Sequence, residues 1–412
     1  MQGYSITQAL SLPEFKVTQV HSIPDGLRIH VKAHKRKEFV CSQCRQAHIG
    51  KINSCKDVTV EDLRITGKRV WLIVSKRRMR CPVDGQLHVE LVDWVKPRAR
   101  VTNRLAEDVY RLTSITTNTE AGWYLGMDDE KVYRIDLETL EGLAAKKLEP
   151  TPTCKNMSVD EVAWQKYHRY LTNVINVDIR RVIWNAMGRT AEVLDKYYDG
   201  IGKANSEKIE SVALDGAMTY ISSTSKKAPN ALIVYDKFHV VQRLNTTVDT
   251  VRKLELRKAR KEERTDLINM MDCKQRFILL KKKENLTENQ KGRLDRLCSL
   301  NEPIYKAMIL KEEFLAVYAM ADEASAKDSL NAWFAQAATS GIQAFEILAE
   351  KFKNKAQYIL NWFKKRISSA ISEGINNKIK RLKRMAYGYR DVRYFLLKIH
   401  QHCGLLSPRF SP

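Results

Sequence analysis

The chain predicts an α/β core interrupted by an all-helical insertion, preceded by a small zinc-binding β module and a helix-turn-helix. Three observations carry that expectation. Apolar, β-branched runs end in acids at Met157-Ser-Val-Asp160, Ser211-Val-Ala-Leu-Asp215 and Ala231-Leu-Ile-Val-Tyr-Asp236. Bounded by polar turn residues, they read as buried strands. A Cys41-Ser-Gln-Cys44 pair with zinc-ligand spacing lies in the first hundred residues. After Asp236 a long, nearly proline-free stretch has helical periodicity and ends near Glu373, 373 − 236 = 137 residues on.

Composition narrows the partners. At 412 residues the chain exceeds one ordinary domain. Lys and Arg total 71 against 48 acids, a net charge of +23. A surplus of that size repels itself unless it meets a polyanion, and nucleic acid is the commonest one. Residues 1–12 have no apolar core of the kind a secretory leader needs, and no apolar run approaches the ~20 residues that span a bilayer. No membrane partner is therefore expected, and a cytoplasmic setting is. The eight cysteines are clustered only near the N-terminus. That argues for a reducing compartment and a local metal site, not a disulfide framework.

Residues 1–100 form the expected zinc-binding module. Phe15–Val20 and Leu27–Ala33 alternate like strands about the turn Pro24-Asp-Gly26, and Arg69–Ser75 belongs to a second hairpin. That hairpin delivers Cys81, with His88 seven residues on. Cys41, Cys44, Cys81 and His88 make a tetrahedral set for structural Zn²⁺, with His48 and Cys55 as rival ligands. Lys35, Arg36, Lys37, Arg77, Arg78 and Arg80 suit phosphate contacts, or equally a solvated charged face.

Residues 101–150 have the helix-turn-helix layout. Thr102 caps a helix to about Leu112, a second helix runs Thr117–Tyr124, and the turn Leu125-Gly126-Met127 leads to a third at Asp128–Leu140. In that layout Lys131 and Arg134 point toward a DNA groove. An ordinary helical linker has the same pattern.

The core is expected over residues 151–245 and is closed by residues 364–412. After the Asp160 strand come strands Tyr170–Asp178 and Arg180–Ala186, and a helix at Ala191–Tyr198. A helix near Ala204–Glu210, the Asp215 strand, a helix at Gly216–Ser225 and a strand at Asn230–Tyr235 follow. This is the ribonuclease-H-like order, which sets carboxylates at adjacent strand ends. Ionised acids are costly to bury unless paired or metal-bound. Glu373 lies on a helix expected at Lys364–Ala386, whose stripe is Ile367, Ile371, Ile375, Ile379, Leu382 and Ala386. Glu373 lies off that stripe, and Asn377, Lys380, Arg381 and Arg384 share its face, placed to grip a DNA backbone. Asp160, Asp215 and Glu373 are thus candidate ligands for two Mg²⁺ or Mn²⁺ ions in phosphoryl transfer. Asp236 and His239 read as a helix cap with a packed imidazole, or as supporting groups of the same site.

Residues 246–363 read as an all-helical insertion: Val248–Arg264, Lys274–Lys283, Thr287–Leu297, Glu302–Ala321, Ala324–Ser340 and Gly341–Lys353. Thr287-Glu-Asn-Gln290 is a capping box. Trp333, Phe334, Trp362 and Phe363 are expected in the core.

Taken together these blocks resemble the bacterial insertion-sequence transposases of the ISL-three type, DDE transposases with a ribonuclease-H-like core. The blocks are Val159-Asp-Glu161, Leu214-Asp-Gly-Ala-Met218, the run from Pro229 to Val240, the run from Ser372 to Lys380, and Arg384-Met-Ala-Tyr-Gly-Tyr389. The resemblance implies that Asp160, Asp215 and Glu373 are the catalytic triad. It also implies that the Asp236/His239 pair helps position a DNA strand or flipped bases. Its implied partners are double-stranded transposon ends and target DNA, bound by a homodimer or higher oligomer in the bacterial nucleoid. His88 stands where the family places a cysteine. A catalytically inactive DNA-binding regulator, and a nuclease without strand transfer, are the alternatives.

Overall fold

The computed structural model describes residues 6–408 apart from 13, 35–37, 166–168, 273–275 and 368–369. Lys35, Arg36 and Lys37, expected near phosphate, lie outside the described residues. The chain divides into two units. One holds residues 1–146, 385–402 and 406–412; the other holds 147–384 and 403–405.

The first unit starts with α1 (Ile6–Leu10) and the strands β1 (Phe15–Ile23) and β2 (Gly26–Ala33). A small hairpin, β3 (Phe39–Val40) and β4 (Ala47–His48), precedes β5 (Ser54–Ile65), β6 (Lys68–Arg80) and β7 (Leu87–Val89). The sheet runs β1-β2-β6-β5, with β7 added to β6. Alternation decides which face is covered: Val70, Leu72 and Val74 of β6 and Ile29 and Val31 of β2 are buried with Phe15 and Val60.

Three helices follow, α2 (Asn103–Thr113), α3 (Asn118–Leu125) and α4 (Asp129–Lys147). Each start has its cap. Thr102 accepts from the Leu105 N–H, and Thr117 and Glu120 form a capping box. The Asp128 carboxylate accepts from the Glu130 N–H at 2.7 Å. Gly126 ends α3 at φ +62°, a left-handed conformation that favours glycine. Leu105, Val109, Ala121, Leu125, Val132 and Ile135 fill the shared core.

The second unit opens with β8 (Asn156–Gln165), β9 (Arg169–Asn176) and β10 (Arg181–Met187). Then come α5 (Ala191–Ile201), α6 (Lys203–Ser206), β11 (Ser211–Leu214), α7 (Met218–Lys227) and β12 (Leu232–Tyr235). The sheet order is β10-β9-β8-β11-β12. The first three strands are antiparallel, and β11 runs parallel to both β8 and β12. Leu194, Tyr197 and Tyr198 from α5 and Tyr220 and Ile221 from α7 pack with Met157, Val159, Val212 and Leu214.

Helices then take over: α8 (Lys237–Lys261), α9 (Thr265–Met271), α10 (Arg276–Leu280), α11 (Glu288–Leu300), α12 (Glu302–Val317), α13 (Glu323–Ala338), α14 (Gln343–Lys353) and α15 (Ala356–Lys364). The Thr287–Gln290 capping box starts α11. Trp333 and Phe334 are buried, and Trp333 donates to the Leu310 carbonyl at 2.7 Å. Trp362 and Phe363 are half-buried against the same cluster.

The final core helix departs from expectation. The sequence predicts one helix from Lys364, but α15 ends there and α16 spans Ala370–Met385. The Asn361 amide donates to the Ile233 carbonyl at 2.7 Å, anchoring α15 on β12, and Lys365 leaves helical geometry at φ −141°, ψ 103°. Ile367 is buried outside either helix. A second departure concerns α17 (Val392–Cys403), which the sequence groups with the core as part of 364–412. Residues 385–402 belong instead to the first unit. The reason is a buried polar knot on α4: Asp136 accepts from Thr113 at 2.8 Å, from Tyr394 at 2.6 Å and from Lys398 at 3.1 Å. A carboxylate and an ammonium buried together require each other. Among the described residues no helix is long and apolar enough to cross a membrane.

Candidate acidic site and zinc centre

The zinc candidate is built from two matching turns. In the first, the Cys41 N–H donates to the Gln46 carbonyl at 3.0 Å and the Arg45 N–H to the Cys41 carbonyl at 3.0 Å. In the second, the Cys81 N–H donates to the Gln86 carbonyl and the Gly85 N–H to the Cys81 carbonyl, each at 2.8 Å. Arg45 and Gly85 both have positive φ, 59° and 69°. Asp84 therefore occupies in the second turn the place Cys44 holds in the first. The β3–β4 hairpin returns His48 to the cluster instead. Cys41, Cys44, His48 and Cys81 have ligand atoms all within 4.8 Å of one another. Cys44 Sγ lies 3.0 Å from His48 Nε2 and 3.7 Å from Cys81 Sγ, and the Cys81–His48 separation is 3.5 Å. A tetrahedron with Zn–S arms of about 2.3 Å has S···S edges of about 3.8 Å, so these residues fit the ion.

The expected ligand His88 is thus corrected to His48. His88 is engaged elsewhere, its Nε2 2.6 Å from Asp84. The turn that puts Asp84 where the first turn has Cys44 also brings its carboxylate to the His88 ring nitrogen. Cys55 is exposed on β5.

The acidic site is built from strand register. Ala213 pairs with Ser158, and Leu214 pairs with Tyr235. Extending each parallel register past the strand ends puts Asp160, Asp215 and Asp236 at one level on three neighbouring strands, about 4.8 Å apart strand to strand. Gly216, at φ +81°, turns the chain immediately after Asp215; a Cβ there would stand 2.6 Å from the Tyr235 ring. The Asp215 carboxylate accepts from the Ala217 N–H at 2.9 Å.

Helix α16 is fastened to β8 on both sides of Glu373. Ser372 Oγ lies 2.7 Å from Ser158 Oγ, and the Asn376 amide donates to the Asp160 carboxylate at 2.7 Å. Glu373 itself is exposed, as are Asn377, Lys380, Arg381 and Arg384. The expected common face is therefore present on α16. Asp160, Asp215 and Glu373 do not crowd as the thiols do: among the described residues the zinc candidate is the single group of three or more such ligands within 4.8 Å.

Electrostatics agree with closely spaced, unbalanced acids. Burial, helped by the charges of Asp215 and Asp236, raises the Asp160 pKa; the Glu161 N–H and His239 act against that. Burial and Asp215 likewise raise Glu161. Asp236 caps α8 through the Phe238 N–H at 3.1 Å and holds His239 Nδ1 at 2.8 Å. Burial alone would lower the His239 pKa, but the bond to Asp236 and the charges of Asp236, Asp160 and Asp215 outweigh it and raise it. An unbalanced set of oxygen donors suits a hard divalent ion. Sequence reasoning missed Asn376 and Lys355. Lys355 donates to the Gly216 carbonyl at 2.5 Å and feels the Asp215 charge. No local signal marks Lys355; Asn376 could have been found as the polar position one turn after Ser372 on the sheet-facing side.

Among the expected DNA-facing residues, Arg134 is exposed. Lys131 is not free: it is ion-paired to Glu61, which is 3% exposed and also binds Arg69 at 2.8 Å. A carboxylate buried that deeply takes whatever cations reach it. Arg77 is similarly held by the buried Glu90 at 2.7 Å.

The fold and the two sites define a protein with a zinc ribbon in its first unit and an acid-bearing α/β core in its second. Residues 157–399 match the family model described as a transposase of the ISL3 group. Residues 37–84 match one described as the zinc-finger of transposase IS204/IS1001/IS1096/IS1165. The chain is 32% identical over 369 residues to the transposase for insertion sequence element IS1001 of Bordetella parapertussis, covering 88% of each. It is 25% identical over 404 residues to the transposase for insertion sequence element IS1557 of Mycobacterium tuberculosis, covering 89% of this chain and 86% of that one. The chain belongs to the ISL3 family of insertion-sequence transposases.

Proposed function

We propose that this transposase binds the terminal inverted repeats of its element and catalyses metal-dependent cleavage and strand transfer of DNA. The observation that carries the reading is the common level of Asp160 and Asp215 on adjacent parallel strands, with α16 fastened beside them by Ser372 and Asn376. The strand order β10-β9-β8-β11-β12, antiparallel then parallel, supports a ribonuclease-H-like core. Asp160, Asp215 and Glu373 would hold two Mg²⁺ or Mn²⁺ ions. Such ions supply activation of an attacking oxygen and stabilisation of the leaving one during in-line displacement.

The protein's own groups do the rest. Asn376 fixes one oxygen of Asp160, orienting the carboxylate. Asp236 fixes the His239 ring and favours its protonated form, a cation beside the path of a phosphodiester. The exposed Asn377, Lys380, Arg381 and Arg384 extend from Glu373 along α16 and offer donors to successive phosphates. The zinc ribbon and the three helices after it, with Arg134 outward, would read the transposon ends. Joining two ends needs at least two active sites, which calls for a homodimer or larger assembly.

The test is Mg²⁺-dependent cleavage of duplex DNA carrying the element's terminal repeat. Asp215→Asn should abolish cleavage and leave binding nearly intact. Undiminished cutting by that variant would refute the assignment.

A further inference from the structure

Next to the acidic level, outside the residues assigned so far, four elements of the second unit converge on a cationic cluster. Lys237, the first residue of α8, places its Nζ 4.6 Å from the centre of the Tyr318 ring and 4.7 Å from that of Trp362. Arg366, just beyond α15, stands 5.1 Å from the same Trp362 ring. Tyr318 and Trp362 meet edge to face at 5.2 Å, and Phe363 stacks on Tyr318 at 6.4 Å. Burial lowers the Lys237 pKa, and the nearby charges of Lys282 and Arg366 lower it further.

The balance of charge is one-sided. Among the described residues Lys282 has Glu284 at 3.1 Å, while Lys237 and Arg366 have aromatic faces and no carboxylate partner. Ring faces attract cations without neutralising them. They hold the ammonium and the guanidinium in place and leave N–H donors unspent. Two cations gathered this way, with Lys282 near them, repel one another, and an anion that bridges them recovers that energy. A phosphodiester has the charge and the several acceptor oxygens required.

We infer that Lys237 and Arg366, seated on Tyr318 and Trp362, form with the neighbouring Lys282 a binding site for a backbone phosphate of the DNA strand that passes the acidic site. Lys237 directly follows Asp236, so a strand held here lies next to the acids. This rests on the proposed DNA chemistry and adds a positioning site to it.

The experiment measures binding of the full-length protein to a fluorescein-labelled duplex carrying the element's end, over a range of salt. Each phosphate contact contributes about 0.9 to the slope of log K against log salt. The variant Lys237→Gln with Arg366→Gln should bind more weakly, with a slope shallower by about 1. The variant Lys237→Arg should keep the wild-type slope. Replacing one linkage of the duplex with neutral methylphosphonate should, at one position, weaken the wild type and leave the double variant unaffected. An unchanged slope in the double variant overturns the site while leaving DNA binding standing. Equal loss in Lys237→Arg also overturns it, because that outcome marks a packing role. A wild-type protein that binds no duplex at all removes the DNA reading and this site together.

Discussion

The zinc centre and the acidic site are both candidate metal sites, and they are assembled in opposite ways. In the zinc centre two hydrogen-bonded turns and the short β3–β4 hairpin bring four ligand atoms within 4.8 Å. Three cysteines and one histidine are brought together there by backbone hydrogen bonds. In the acidic site, register levels the carboxylates and α16 is pinned alongside, but Glu373 stays at the surface. Ionised carboxylates repel, and burial raises the pKa of Asp160 instead of drawing its neighbours closer. Backbone turns complete a soft-ligand site by themselves. A hard-ligand site is completed to the level of the strands, and the cation and the DNA must close it.

The comparison breaks most sharply at the zinc centre. Structural zinc contributes about 10–16 kcal/mol in small zinc modules. Cys44→Ser or His48→Ala should therefore release the ion and unfold the ribbon, as read by zinc content and by limited proteolysis. His88→Ala should retain one zinc per chain; loss of metal there would restore His88 as the ligand. At the acidic site, Asp215→Asn should lower the cleavage rate by about a thousand-fold or more, since a catalytic metal supplies several kcal/mol to the transition state. Normal zinc content in that variant would show the two sites to be independent.

Smaller changes sharpen the contrast. Asn376→Ala removes the amide that orients Asp160 and should weaken the Mg²⁺ requirement curve by about 10- to 100-fold, as loss of a ligand's hydrogen-bond partner typically does. A curve that does not move would reduce Asn376 to a packing residue. The smallest effect is on stability. Asp160 has a folded-state pKa above its unfolded value, so the folded state binds the proton more tightly. In buffer without divalent ions, stability should fall as pH rises from the ordinary carboxylate range through that raised value. Asp160→Asn should then melt higher than wild type at neutral pH. A lower melting temperature would mean the carboxylate is stabilising, against the charge balance described here.

Much of this was legible in the sequence, for local reasons. The strands that carry Asp160 and that lead into Asp215 and Asp236 announce themselves through short β-branched runs, although β8 runs past Asp160 to Gln165, and Thr102 and Thr287 announce helix starts through capping chemistry. What escaped is non-local. His48 and His88 are both within reach of Cys81 on spacing alone; only the turn that gives Asp84 to His88 separates them. Asn377 shares the Glu373 face, as helical spacing requires, but the neighbouring Asn376 touches Asp160 because α16 lies with its Ser372 side on β8. One apolar period runs across the break at Lys365, and periodicity cannot report the Asn361 contact that ends α15. Nor does any motif reveal that Tyr394 and Lys398 answer a carboxylate on α4, more than 250 residues earlier.

That last knot bears on the order of synthesis. Asp136 and Thr113 leave the ribosome early, but Tyr394 and Lys398 arrive only after residues 147–384, nearly all of the second unit, have been made. At about 5–20 residues per second, those 384 − 147 + 1 = 238 residues take roughly 10–50 s. During that interval Asp136 lacks its ammonium partner, and the knot closes only once α17 has been made.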